Sequence, residues 1–354
     1  MENLKRRWPL YLALVLLAGV GYLLIPGADY EYEPAHPPPT TFEEYQARWK
    51  SPRPTKPGNE AKLIRYAEGK TDLAILYIHG FGSSRGEGQL VVDQVAEEFE
   101  ANTFYIRLPG HGTNNEHLRE QQWDDYVDAA EAALRAMPLL GENIIVIGTS
   151  MGGLLASHLA GAHPDRIAGL VLISPFYNFA KLPPRIMGHP LVRPIASIAL
   201  GNQTRVTRKD VTAPASPQDP RRPGYEKYWY NEKHLDTYVA VAELRERLVR
   251  RDMFARMTMP VLLLYYYRDE DNQDPSVSVR AMLDHFAQMG RSPDGRARPA
   301  GHPLNRAVAV ENGAHVMTSA YVLADTETPR SEIEQFIKDV QAELDYAPAT
   351  PNAR

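Results

Sequence analysis

The sequence predicts an α/β protein: a mostly parallel sheet with helices on both faces and a cap inserted into one connection. Three observations carry this. From Lys62 onward, short β-rich runs alternate with longer amphipathic stretches. Several of the runs are apolar throughout, as expected of parallel strands covered on both faces. One interval of about 85 residues, between Pro175 and Met259, breaks the alternation and is longer than a compact strand-to-helix connection needs.

Composition narrows the function classes. The 354 residues allow one large or two modest domains with a sizeable core. Thirty-nine Lys+Arg against 44 Asp+Glu give a net charge of -5, so the basic excess that neutralises phosphates is missing and no nucleic-acid partner is expected. With no cysteine in the chain, disulfides, thiolate chemistry, Cys-ligated zinc and lipidated-Cys anchors are excluded together.

Taken in order, Lys5, Arg6 and Arg7 precede an uncharged apolar stretch from Trp8 to Ile25, closed by Pro26-Gly27 and by Asp29, Glu31 and Glu33. This predicts a transmembrane signal-anchor over residues 1–28. The run between Pro9 and Pro26, about 17 residues, would span about 26 Å as a helix. The basic flank would stay cytoplasmic, so the membrane would be a partner and the remaining chain would lie on the non-cytoplasmic side, as in a bacterial inner membrane facing the periplasm. The alternative is a cleaved signal that leaves a secreted or periplasmic protein, although Tyr22, Leu23, Leu24 and Ile25 fill the expected cleavage region. Residues 29–60 hold Pro34, Pro37, Pro38, Pro39, Pro52, Pro54 and Pro57 and predict a semi-extended linker with a short helix over Phe42 to Trp49.

The main domain is expected over residues 61–350. Strand candidates are Leu73–His79, Thr103–Leu108, Asn143–Gly148, Ala168–Ser174, Pro260–Tyr266 and Arg306–Val310. Helix candidates between them are Gly88–Phe99, Trp123–Met137, Met151–His163, Ser276–Met289 and Arg330–Leu344. Right-handed crossovers in such a sheet place sites at the carboxyl ends of the strands. The cap insertion, about 176–258, carries the aromatic clusters Phe176, Tyr177, Phe179 and Tyr225, Tyr228, Trp229, Tyr230, and a helix candidate from Glu232 to Arg251.

Chemistry concentrates at those strand ends. After NIIVIG comes Gly148-Thr149-Ser150-Met151-Gly152-Gly153, followed at once by a helical run. A serine on a tight strand-to-helix turn needs small neighbours, and Gly148 and Gly152 supply them. The helix N-terminus can then stabilise a developing oxyanion through its free N–H groups. His79-Gly80-Phe81-Gly82 follows the first long strand, where a second donor must lie, so the N–H groups of Phe81 and Met151 are the expected oxyanion hole. His79 is read as ordering that loop. Pro109-Gly110-His111-Gly112 is read as a structural turn beside the site.

A nucleophilic serine needs a base. Of eleven histidines, His315 stands in a glycine-containing loop straight after the last strand, and that placement makes it the candidate. The third member must be an acid after PVLLLYY. Asp274 is preferred because it immediately precedes SVSVRAMLDHF and has Val277 three residues on; Asp269 and then Asp271 are the alternatives.

The order Ser150, acid, His315, the G-x-S-x-G turn, the His-Gly loop and the insert after SPFYNF resemble the α/β-hydrolase superfamily. Within it, residues 62–345 look most like capped serine hydrolases of the monoacylglycerol lipase, lysophospholipase and serine aminopeptidase group. The resemblance implies an eight-stranded, mostly parallel sheet and cofactor-free, metal-free hydrolysis through an acyl-enzyme. The expected activity is carboxylic-ester hydrolysis on a small acyl ester or lipid-like substrate. Acyl transfer, amide or peptide hydrolysis, and a membrane-tethered non-catalytic binding protein are the alternatives. Substrate identity does not carry over, because the cap matches no family motif, and oligomeric state is left open.

Overall fold

The computed structural model describes residues 37–181, 204–206, 220–235, 237–290 and 301–346. Its strands are β1 (Lys62–Ile64), β2 (Thr71–Ile78), β3 (Asn102–Tyr105), β4 (Gly141–Thr149), β5 (Gly169–Ile173), β6 (Thr204–Val206), β7 (Glu232–His234), β8 (Val261–Tyr266) and β9 (Arg306–Val310). One seven-stranded sheet runs in the order β1-β3-β2-β4-β5-β8-β9. Every pairing in it is parallel except that of β1 with β3. β6 and β7 form a separate antiparallel pair.

The mostly parallel sheet expected from the apolar runs is therefore the sheet observed. Among the described residues it has seven strands, where the family resemblance implied eight. The segment before β1 carries Pro52, Pro54 and Pro57 and forms no strand. Proline has no N–H to give to a ladder, which disfavours strand pairing along this stretch.

Helices α1 (Phe42–Arg48), α2 (Gln89–Glu98), α3 (Asn115–Glu120), α4 (Trp123–Ala136), α5 (Met151–Ala162), α6 (Tyr225–Tyr228), α7 (Thr237–Leu248), α8 (Arg251–Ala255), α9 (Val279–Phe286) and α10 (Glu327–Tyr346) complete the described elements. β2 shows why both faces of the sheet are covered. Its Ala74, Leu76 and Ile78 join the cluster that holds Val127 and Leu134 of α4 and Leu154 and Leu155 of α5. Its alternate residues Leu73, Ile75 and Tyr77 join Val91 and Val95 of α2 and Phe336 and Ile337 of α10. Burying one such side chain is worth about 1.5–3 kcal/mol, so a strand apolar on both faces is stable only between two helix layers.

Two segments outside the alternation pack onto this frame. In α1, Phe42 and Tyr45 are buried and meet Phe104 of β3 edge-on, with ring centroids 4.9 and 5.5 Å away. The short helix expected in the linker is thus present, and it is docked on the sheet. In the insert between β5 and β8, Tyr230 donates its N–H to Gly82 O at 2.9 Å and its hydroxyl to Gly110 O at 2.8 Å. The described part of the insert therefore lies across the loops that follow β2 and β3.

The apolar stretch Trp8–Ile25 lies outside the described residues. Among those described, no helix is long and apolar enough to cross a membrane. No described helix supports the transmembrane and signal-anchor expectation, and the membrane is not carried forward as a partner. The apolar run with a basic flank was read on pattern alone, and pattern does not separate an anchor from other apolar segments.

Candidate active site

Ser150 stands between β4 and α5 with φ 55° and ψ -117°, a conformation that a side-chain-bearing residue rarely adopts. Hydrogen bonds hold it there. Its N–H reaches Ile173 O at 2.9 Å, continuing the β4–β5 ladder, while its carbonyl accepts from Phe176 N at 2.9 Å and Leu154 N at 3.1 Å. The flanking glycines are required by close approach. A Cβ on Gly152 would stand 2.0 Å from Ile78 O and 2.6 Å from His79 O, and one on Gly148 would stand 2.4 Å from Gly152 O. The start of α5 can therefore pack directly on the carboxyl end of β2, which brings the His79–Gly82 loop against Ser150.

The described structure brings three of the sequence candidates into one hydrogen-bonded chain. Ser150 Oγ is 3.0 Å from His315 Nε2, and His315 Nδ1 is 2.8 Å from Asp274 Oδ2. Asp274 is buried, and its other oxygen accepts from Ser276 N at 2.9 Å and Val277 N at 3.1 Å. With one oxygen held by two peptides, the carboxylate presents the other to the imidazole. His315 keeps 22% of its side-chain surface exposed, so the ring is fixed yet reachable.

Asp269 and Asp271 are exposed and are not brought to His315. Asp269 instead accepts from the backbone of Asp271 and Asn272 and from the Asn272 amide within the loop. The loop closes on itself through a bridge between Tyr267 and Gln273, and Asp274 N donates to Tyr266 O at 3.1 Å. This excursion returns Asp274 to the end of β8 although it is distant from that end in sequence.

Electrostatics follow the geometry. Burial presses the His315 imidazole down, but the Asp274 charge, its hydrogen bond and the nearby Glu87 carboxyl together raise it above its ordinary value. His79 is buried and pushed down to about 4, so it is neutral. Its Nε2 accepts from Leu108 N at 3.1 Å, which ties the loop after β2 to the end of β3. His111, also buried, is held by Pro109 O at 2.8 Å through Nδ1, in the turn where the sequence reading placed it. Phe81 packs edge-on against Tyr238 of α7 at 5.5 Å, and so the insert reaches the loop beside Ser150.

Sequence reasoning missed Glu87. It lies in the short 3₁₀ turn Arg85–Glu87, is 2% exposed, and accepts the N–H of Gly80 between His79 and Phe81. Nothing in the string SSRGEG distinguishes it from a solvated loop acid. His158 and His163 lie away from this chain of groups and both clamp the buried Glu131, at 2.9 and 2.7 Å.

Comparison with known proteins follows the same lines. Over 104 residues the chain is 33% identical to a pimeloyl-[acyl-carrier protein] methyl ester esterase from Pseudoalteromonas atlantica, a match covering 29% of this chain and 38% of the relative. A protein of the same description from Yersinia enterocolitica is 34% identical over 107 residues, covering 30% and 37%. The chain thus spans less than two fifths of the length of these curated relatives. Among solved structures, a metagenome-derived lipolytic enzyme superposes with a TM-score of 0.57 at 19% identity, covering 81% of this chain and all of the other. A monoacylglycerol lipase from Paleococcus ferrophilus superposes with a TM-score of 0.56 at 14% identity, covering 79% and 98%. These likenesses show the fold. The sequence model of the alpha/beta hydrolase family matches residues 75–322, well over half of the sequence, and so the chain belongs to the alpha/beta hydrolase family.

Proposed function

We propose that this chain hydrolyses carboxylic esters through Ser150. The observation that carries the reading is the unbroken relay from Ser150 Oγ through His315 to a buried Asp274. Family membership and the similarity to ester-cleaving relatives support it.

The chemistry runs as follows. Asp274 accepts the Nδ1–H of His315, which leaves Nε2 as an acceptor for the Ser150 hydroxyl proton. As Ser150 Oγ attacks the acyl carbonyl, Nε2 takes that proton and Asp274 stabilises the imidazolium that forms. Met151 is the first residue of α5, so its N–H has no carbonyl partner inside the helix, which supports reading it, with the Phe81 N–H, as a donor to the developing oxyanion. The imidazolium gives its proton to the departing alkoxide. Water then attacks the acyl-enzyme, His315 serves again as base, and the acid leaves.

The substrate class is a small carboxylic ester. The test is hydrolysis of p-nitrophenyl esters from acetyl to palmitoyl by the full-length chain, with Ser150→Ala as control. Turnover that vanishes in Ser150→Ala supports the reading, and the chain-length optimum measures the acyl site. Full activity in Ser150→Ala, or a folded wild-type chain that neither turns over any ester nor reacts with a serine-directed phosphonate, overturns it.

A further inference from the structure

Among the described residues, Glu87 is a buried acid beside the site that the relay does not use. Its Oε2 accepts from Gly80 N and lies 3.4 Å from the Tyr77 hydroxyl. Tyr77 in turn shares a 3.1 Å hydrogen bond with Thr149, the residue before Ser150. A Cβ on Gly80 would meet Glu87 Oε1 at 2.9 Å and Ser150 Cβ at 3.0 Å, so the carboxyl and the serine flank the same point in space. The backbone around Glu87 is tied to the His315 loop: Thr318 Oγ1 donates to Glu87 O at 3.0 Å, and Ser319 Oγ donates to Gly86 O at 2.7 Å. Three loops that carry the site therefore converge on one turn. The serine turn reaches it through Thr149 and Tyr77, the His79–Gly82 loop through Gly80, and the His315 loop through Thr318.

We propose that Glu87 is a positioning residue of this site. Its buried carboxyl fixes the Gly80 peptide, and with it the adjoining Phe81 N–H, and holds a second acidic group beside the Ser150–His315 pair. The proposal rests on the ester-hydrolase reading for its kinetic consequence but not for its electrostatic one. The titratable groups facing the carboxyl are Tyr77 from β2 and His315 from the loop after β9, while the Gly80 N–H and the Ser83 hydroxyl face it as uncharged donors. Burial pushes Glu87 up to about 7, against the pull of the Gly80 hydrogen bond and the His315 charge. The charge on each of Glu87 and His315 therefore acts on the ionisation of the other.

The test uses full-length wild type and Glu87→Gln, which keeps an acceptor for Gly80 N–H and removes the charge. The His315 imidazole is titrated by NMR, with its signal assigned by loss in His315→Gln, and kcat and KM for p-nitrophenyl butyrate are measured across pH. The expected result is a lower His315 pKa in Glu87→Gln, an acid limb of kcat/KM displaced by the same amount, kcat reduced about tenfold and KM within about twofold. A purely structural Glu87 would change thermal stability and leave the His315 titration in place, and that outcome overturns the proposal. If the wild type shows no Ser150-dependent turnover while the His315 titration still moves, the ester reading falls and the placement of Glu87 stands. Should Glu87→Gln fail to fold, Tyr77→Phe takes its place. It removes a donor that favours the ionised carboxyl, so the His315 pKa should fall in the same direction by less, and an unmoved titration again overturns the proposal.

Discussion

Asp274, Asp269 and Asp271 share one loop, one residue type and nearly one sequence position, yet the fold gives them different fates. Asp274 is buried, accepts two backbone N–H groups and meets His315, whereas the other two face solvent. Asp274→Asn should therefore lower kcat about 10⁴-fold while the chain stays folded, since the imidazole loses its orienting charge. Asp269→Asn and Asp271→Asn should stay within about twofold of wild type, and the three variants assayed together decide the acid. The same residues set a pH profile. His315 is raised above its ordinary value and must be neutral to accept the serine proton, so kcat/KM should fall as pH drops through a midpoint above 6.5. In the residual activity of Asp274→Asn that midpoint should move down. At this scale the sequence is legible wherever spacing alone fixes a placement, as in the serine turn and in a histidine just past a strand. It is silent where burial decides. Asp274 is preferred in the sequence only on local grounds, its position before a helix and Val277 three residues on, because the closure between Tyr267 and Gln273 is a tertiary event, and Glu87 is not distinguished at all.

The elements explain why the long strands could be read and the peripheral pieces could not. β2, β4, β5 and β8 are buried along most of their length between two helix layers, so their apolar runs stand out in the sequence. β1 has three half-buried residues and leaves no such mark. The docking of α1 was hidden for a different reason: proline density suggested a tether, while Phe42 and Tyr45, spaced to share one helix face, bury themselves on Phe104. Phe42→Ala should cost about 3 kcal/mol or more in urea unfolding, whereas a free tether would leave stability unchanged. The joint between β2 and α5 is tighter still. Gly152→Ala would drive a methyl group into Ile78 O and His79 O, backbone atoms at the end of β2 and the start of the loop that carries Phe81. It should lower the melting temperature and abolish ester turnover together, because α5 cannot move off β2 without moving Ser150 away from that loop.

Over the whole molecule, two buried glutamates bias stability in opposite directions along the pH scale. Glu131 bears a burial penalty, but its hydrogen bonds with His158 and His163 outweigh it and hold its carboxyl down to about 2. Its contribution is complete above the ordinary value of 4.5 and is lost as pH falls from there to about 2. Glu87 has the reverse sign. Burial raises it to about 7, so the folded chain holds a proton that the unfolded chain has already released, and stability declines as pH rises from 4.5 through 7. A displacement of that size corresponds to on the order of 3 kcal/mol, fully felt above pH 7. Glu87→Gln removes the ionisation while keeping the shape of the side chain. Its stability relative to wild type should therefore rise between pH 5 and pH 8, by several degrees in melting temperature, over the same range in which its kcat is expected to be lower. Melting curves of the two proteins at matched pH values check this, and parallel curves across the range would mean that Glu87 titrates alike in the folded and unfolded chains, so that burial does not raise it. A destabilising charge combined with a catalytic advantage is what the proposed placement predicts: the burial that makes the carboxylate costly to ionise would make its charge effective on the imidazole beside it.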